Sequence, residues 1–390
     1  MGKIGLGVVG CGWAARDLYE PAFRFLRSGR IVAVMDIDEL KAKALSEVYA
    51  VPRYYTDLDK MLSDREVEAV VVLTPPHTHP EIVVRAAEAG RHVYCEKPMA
   101  TTVQEADRMI DACRRNNVKL MVAYMKRFNK SFRFIKDLVD SGQLGGIFEL
   151  RERWDNVRVF PPPVRRPPRQ ERTDYRLRLI SGGGFLQEDG SHPLDVARWW
   201  LGDVEEVNAY VMIVDPERYE TENVACVTMR HKSGAVTTLH ITMITHTKGE
   251  ESYELFGTKG TLTMRWLYHS SKSLEPAIIH LHRNGREIQD LTLSVWETRW
   301  NPLLDLRENW QYLRELEHFC ECILKDEEPY CTGEDGRAVV EIINAAYLSA
   351  WRCERVKLPL KETPSLRDFF VELRSKSPWS LGEAEWSSWY

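Results

Sequence analysis

Two groups of residues have the means to move a proton. Glu96-Lys97-Pro98 follows directly on the apolar run His92–Cys95. A lysine at the carboxyl end of a strand can hydrogen-bond a substrate hydroxyl and stabilise the alkoxide that develops as hydride departs. The second group, Glu188-Asp189-Gly190-Ser191-His192, stands at the entry to a helical pattern running on to Asp195 and Arg198. If that helix already includes Glu188, its carboxylate and His192 are i and i+4 and share a face. Asp189 is the competing partner, three residues before His192. A carboxylate beside an imidazole orients it and raises its basicity, which suits a base acting near neutral pH. Gly190 and Pro193 equally suit a helix that starts just after His192, so the phase stays open.

A third group points to a bound pyrophosphate. Gly10-Cys11-Gly12-Trp13-Ala14-Ala15 lies between the apolar run Ile4–Val9 and a helical pattern. Gly10 permits a tight turn, Gly12 lets phosphates approach the backbone, and small Ala15 allows close helix–strand packing. The next apolar run, Ile31–Met35, ends at Asp36, 21 residues past Ala15. A carboxylate at that spacing accepts both adenosine ribose hydroxyls and repels a 2′-phosphate, so NAD is expected over NADP. Asp38 falls past the strand and is expected to cap the next helix. Thr74-Pro75-Pro76-His77-Thr78-His79 closes the run Ala69–Leu73. Ligands of such sheets bind outside the carboxyl ends of the strands. That places Thr74, Pro75, His79 and Glu96 on the cofactor side.

These residues must be held by two kinds of domain. Short apolar runs alternate with helical patterns over residues 1–125, which predicts a doubly wound parallel sheet: a Rossmann domain. From 126 to 360 strands follow one another, which predicts an α+β domain with a mostly antiparallel open sheet. One helix is expected near Phe185–Leu201, with two more near Leu306–Leu324 and Glu334–Trp351. The stretch Arg151–Arg178 is rich in arginine and proline and is expected as a long loop, and 361–390 forms a Trp-rich tail. An open sheet face needs covering, so self-association into a homodimer or homotetramer is expected.

Composition narrows the class. The chain has 390 residues, 44% hydrophobic and 28% charged, enough for two substantial cores. A net charge of −5 gives no reason to expect a nucleic acid partner. No signal-peptide pattern or membrane-length apolar run stands out, so a cytoplasmic protein without membrane association is expected. The eight cysteines are scattered, and Cys320-Glu321-Cys322 lacks a partner pair, so no metal site is expected.

Taken together, these motifs resemble the Gfo/Idh/MocA oxidoreductase family (glucose–fructose oxidoreductase, inositol dehydrogenase and relatives). The resemblance spans about residues 4 to 360. It includes the glycine turn with Asp36, Thr74-Pro75, Glu96-Lys97-Pro98, Arg127-Phe128, and Gly182-Gly183-Gly184 with His192 and Asp195. It continues through Glu254-Leu255-Phe256-Gly257-Thr258-Lys259-Gly260, Gly333-Glu334-Asp335-Gly336 and Ala345-Ala346-Tyr347. It implies a catalytic lysine at Lys97, before a cis Pro98, and a catalytic histidine at His192. Arg127 matches a position near cofactor or substrate, where a structural ion pair is the alternative. Many relatives carry aspartate four residues before the histidine. Here Glu188 stands there, followed by Asp189, which leaves open which acid serves His192. The implied activity is NAD-dependent oxidation of a sugar, sugar derivative or cyclitol. Trp154, Arg158, Tyr175 and Arg176 are candidate substrate contacts beside Lys97 and His192. Redox-assisted glycoside cleavage with recycled NAD is the second reading, and a non-catalytic NAD-binding regulator the third.

Overall fold

The computed structural model describes residues 2–51, 53–155, 179–217, 219–245, 249–267, 277–285, 287–292 and 311–379. The chain divides into two compact units. The first comprises residues 1–133 and 299–340, the second 134–298 and 341–390.

The first unit holds a six-stranded parallel sheet. Its strands are β1 (Ile4–Val9), β2 (Gly29–Met35), β3 (Tyr54–Tyr55), β4 (Ala69–Val72), β5 (His92–Cys95) and β6 (Leu120–Val122). Their order, β3-β2-β1-β4-β5-β6, is that of dinucleotide-binding sheets, with the switch point between β1 and β4. The central strands are almost wholly apolar and buried, as a sheet covered on both faces requires. The connecting helices are α1 (Glu20–Phe25), α2 (Glu39–Val48), α3 (Leu58–Leu62), α4 (His79–Glu88) and α5 (Val103–Arg115). Local chemistry sets their starts. Asp38 caps α2 through the amides of Leu40 and Lys41, as its place in the sequence suggested. Thr102 and Glu105 form a reciprocal capping box on α5.

A helix α6 (Lys130–Asp140) leads into the second unit. That unit opens with β7 (Ile147–Asp155), followed by two short helices, α7 (Phe185–Glu188) and α8 (Ser191–Leu201). Seven further strands are β8 (Val204–Met212), β9 (Val224–His231), β10 (Val236–Thr242), β11 (Glu250–Gly257), β12 (Gly260–Leu267), β13 (Ile278–Arg283) and β14 (Glu287–Asp290). The chain then forms α9 (Gln311–Lys325), α10 (Gly333–Arg352), β15 (Val356–Lys357) and α11 (Leu366–Ser375). The unit boundary falls inside α10. The nine strands order as β14-β13-β12-β11-β7-β10-β9-β8-β15, antiparallel throughout except for the parallel pair β7–β10. One sheet face is apolar and contacts α7 and α8. The other carries a charged row that includes Arg151, Arg153, Glu250, Glu254 and Arg265.

The single helix expected over Phe185–Leu201 is instead two, broken at Asp189–Gly190. A Cβ on Gly190 would lie 2.4 Å from the Leu186 carbonyl oxygen, so only glycine lets the chain turn so tightly there. The segment beyond the strands folds back on its own unit. Phe369 and Phe370 of α11 pack against Tyr347, and the Trp351 indole donates to Glu372. Arg158, Tyr175, Arg176, most of the Arg/Pro stretch, and Trp386, Trp389 and Tyr390 lie outside the described residues.

Candidate active site

In the first unit the glycine turn follows β1. Gly10 has φ +97°, and a Cβ there would meet the Leu73 carbonyl at 2.9 Å, so both conformation and space demand glycine. At Gly12 a Cβ would meet nothing within 4 Å: the space beside it is open rather than filled by the protein. The chain then winds through a π-type turn, Ala14–Leu18, closed by the Tyr19 amide on the Ala14 carbonyl at 3.0 Å. Single π turns of this kind recur at functional sites. Ala15 is fully buried, while Trp13 and Ala14 are half-buried. Asp36, at the end of β2, is half-buried too. Its Oδ2 accepts from the Cys11 amide at 2.8 Å and its Oδ1 from the Asp38 amide at 2.9 Å. Burial and the Asp36 charge push the Cys11 thiol up to about 12, so it is a packing group and not a nucleophile.

At the ends of β4 and β5 the loops are tied together. Thr78 donates its hydroxyl hydrogen to the Pro75 carbonyl at 2.7 Å and accepts from the Thr74 hydroxyl at 2.7 Å. His79 is wholly buried, its Nδ1 3.1 Å from the Pro98 carbonyl and its Nε2 2.8 Å from the Thr74 carbonyl. Burial lowers it to about 4. A neutral imidazole has one N–H, so His79 donates to one of these carbonyls and packs against the other, bracing the two loops. The Lys97–Pro98 peptide is cis.

Glu96 is the most elaborately held residue of this half-site. Its Oε2 accepts the Lys97 amide at 2.7 Å and its Oε1 accepts the Tyr19 hydroxyl at 2.9 Å. The Tyr19 and Tyr94 hydroxyls are also 2.9 Å apart. A hydroxyl has one hydrogen. Tyr19 donates to Glu96, and Tyr94 is hydrogen-bonded both to Tyr19 and to Glu315. Glu96, Tyr19, Tyr94 and Glu315 therefore form one continuous chain. Glu315 of α9 lies fully buried beside the tyrosines, and burial pushes its carboxyl well above the usual range. The sequence offered no sign of this brace, because Tyr19 and Tyr94 look like ordinary apolar-core residues. Arg127 is buried and paired with Asp335 at 3.0 Å, and it donates to the Tyr330 carbonyl, so the ion-pair alternative describes its contacts.

In the second unit Glu188, Asp189 and His192 are all buried. The His192 amide donates to the Asp189 carbonyl at 3.1 Å, which ties the backbone of His192 to that turn. The His192 ring stacks on Trp154 of β7, with centroids 5.8 Å apart at 25°. Trp154, expected as a sugar-facing ring, is thus largely covered and supports the imidazole. Among the described residues, no cluster of three or more histidine, cysteine, aspartate or glutamate side chains is arranged to hold a metal. No helix among them is long and apolar enough to cross a membrane.

A parallel sheet in this strand order, with a glycine turn at its switch point and an acid ending β2, defines a dinucleotide-dependent oxidoreductase architecture. Residues 4–124 match the oxidoreductase family with NAD-binding Rossmann fold, and residues 136–358 match its C-terminal alpha/beta domain. The chain belongs to this Gfo/Idh/MocA family. Myo-inositol 2-dehydrogenase of Thermotoga maritima is 28% identical over 362 residues, covering 92% of this chain and 98% of that protein. The aldose-aldose oxidoreductase of Caulobacter crescentus, solved with glycerol, superposes with a TM-score of 0.76 at 28% identity, covering 91% of this chain and 100% of that one. The WlbA dehydrogenase of Bordetella pertussis, solved with NADH and UDP-GlcNAcA, gives 0.74 at 26% identity, covering 92% and 100%. NAD fits the first unit: the space beside Gly12 is open, and the half-buried Asp36 carboxylate keeps lone pairs for ribose hydroxyls.

Proposed function

We propose that the protein oxidises a secondary hydroxyl of a sugar, sugar derivative or cyclitol with NAD, or runs the reverse ketone reduction. NAD, when bound, takes up or supplies the hydride. Gly10, Gly12, Trp13, Ala14 and Ala15 hold its pyrophosphate side, and Thr74, Pro75 and Glu96 line it. Asp36 binds the adenosine ribose and disfavours a 2′-phosphate, so NAD is preferred to NADP. Lys97 hydrogen-bonds the reacting oxygen and stabilises its developing charge. His192 takes the hydroxyl proton, and Glu188 or Asp189 orients it. Arg158, Tyr175 and Arg176 belong to the sugar side of this reading, and Trp154 backs His192. The charged outward sheet face, where arginine and glutamate alternate, is assigned to a second copy in a homodimer or homotetramer.

The observation that carries the reading is Lys97 directly at the carboxyl end of β5, its amide clamped by Glu96. The test is nicotinamide absorbance with NAD and a panel of inositols, aldoses, sugar acids and glycosides, with product analysis. Accumulating NADH and a carbonyl product supports it. Lys97→Ala should abolish that turnover while NAD affinity, measured by calorimetry, stays nearly unchanged; surviving activity removes Lys97 from its role.

A second reading is favoured by one observation, the two adjacent buried acids Glu188 and Asp189. In this reading one acid orients His192, and Asp189 or Tyr175 removes a second proton. Oxidation at one carbon acidifies its neighbour; loss of that proton expels the glycosidic oxygen, water adds, and the ketone is reduced again. Glycoside cleavage without net NADH distinguishes it.

A further inference from the structure

The start of α7 has an unusual solution to a general problem. The first amides of a helix have no partner inside it, and a Ser, Thr, Asp or Asn at the N-cap ordinarily supplies one. The N-cap of α7 is Gly184, which has no side chain to offer. Its partner comes instead from Glu222, in the loop before β9. Glu222 Oε2 accepts the Gly184 amide at 2.9 Å, its carbonyl accepts the Phe185 amide at 3.0 Å, and its Oε1 accepts the Leu186 amide at 2.8 Å. Three successive amides are thus satisfied by one distant residue, itself fully buried. The Tyr347 hydroxyl of α10 donates to the same Oε1 at 2.9 Å and fixes the carboxylate from behind.

The triple glycine now has a physical reason. A Cβ on Gly184 would lie 2.0 Å from the Glu222 carbonyl oxygen and 2.6 Å from its Oε2, and one on Gly183 would lie 2.6 Å from the Tyr347 hydroxyl. From this anchored start the chain is rigidly bonded onward. The Asp189 and Gly190 amides both donate to the Phe185 carbonyl, and the His192 amide donates to the Asp189 carbonyl.

We propose that Glu222 is a positioning residue for His192: it caps α7 from a distance and, with Tyr347, sets where Glu188, Asp189 and the imidazole stand. The inference rests on His192 being the base of the proposed reaction. Glu222 touches none of the reacting groups itself.

The test uses the full chain and the variants Glu222→Gln and Tyr347→Phe. Glutamine keeps the shape but presents an N–H donor to backbone N–H donors. Tyr347→Phe removes one donor and leaves the amides bonded, so it guards against a glutamine variant that fails to fold. Hydrogen exchange over residues 183–192 should accelerate about 10-fold or more in Glu222→Gln and less in Tyr347→Phe. The His192 imidazole titration, followed by NMR and assigned with His192→Asn, should move by about half a pH unit or more in Glu222→Gln. On any panel substrate that wild type oxidises, turnover should fall about 10-fold while NAD affinity changes less than about 2-fold. A merely structural residue would lower the melting temperature and leave the titration in place. Unchanged exchange and an unmoved titration would overturn the proposal. A wild type inactive on the whole panel would count against the functional reading alone, because exchange and titration still decide the role of Glu222.

Discussion

Tyr19→Phe removes a single oxygen and breaks the hydrogen-bonded chain that joins Tyr94 to Glu96. The bond to Glu96 is charge-assisted and part-buried, and such bonds contribute about 1.5–3 kcal/mol. The Tyr94 hydroxyl, fully buried, loses one of its partners at about 1 kcal/mol more. Because Glu96 is only half-buried, the lower part of the range applies to it, and the total is about 2–3 kcal/mol. For a unit of this size that is a fall of about 4–12 °C in melting temperature. Differential scanning calorimetry reads it in the transition of the first unit, with the second unit's transition as internal control. Tyr94→Phe is the discriminating comparison. It leaves the Tyr19 donation to Glu96 intact, so it should cost only about 1 kcal/mol. Equal losses in the two variants would refute the larger share given to the Glu96 bond.

Three more outcomes follow from the geometry. Asp36→Ser should weaken NAD binding about 10-fold or more and shrink the discrimination against NADP, as calorimetric titration with both nucleotides can read. His79, lowered from 6.5 to about 4, stays neutral in the fold while the unfolded chain takes up a proton. The first unit should therefore lose about 3 kcal/mol as pH falls through that window, and His79→Gln should flatten the loss. Glu222 runs the other way. Burial raises it from 4.5 to about 7 against the pull of its three donors, so the unfolded chain releases its proton first. The second unit should lose about 3 kcal/mol as pH rises from 4.5 to 7, and Glu222→Gln should remove that slope. Calorimetric scans across this range should show the two transitions moving in opposite directions.

The sheet of the first unit was largely legible because its signals are local, whereas residues 299–340, read as part of the second domain, complete the first unit through long-range contacts. Apolar runs bounded by turn residues gave the strands, and the cap at Asp38 and the acid ending β2 needed only their neighbours. The second unit was less so. The parallel pairing of β7 with β10 depends on long-range register that no short window contains. The break at Gly190 turns on a backbone contact with Leu186, which a helical pattern cannot reveal. His79 read as a ligand-facing histidine because its true partners are the carbonyls of Thr74 and Pro98, and carbonyls have no letter in a sequence. Glu222 was invisible for the same reason: it caps α7 from across the fold, and its own surroundings resemble a strand entry. Trp154 was recognised as important, yet its stacking on His192 depends on strand β7 running beneath α8.

The first unit is assembled from two stretches of chain, and this sets a timetable for its synthesis. Glu317 accepts the Arg27 and Ser28 amides, Phe319 packs on Tyr94, and the Cys331 carbonyl accepts the Val122 amide. None of these partners exists when residue 133 leaves the ribosome, and the unit is complete only at residue 340. At about 5–20 residues per second the interval is roughly 10–40 s. During that time α1, β5 and β6 wait with part of their surface uncovered while eight of the nine strands of the second sheet are being made. The nucleotide-binding half, first to be translated, is therefore finished only after most of the second sheet has been made, and its uncovered surfaces stay open to chaperones and proteases throughout that interval.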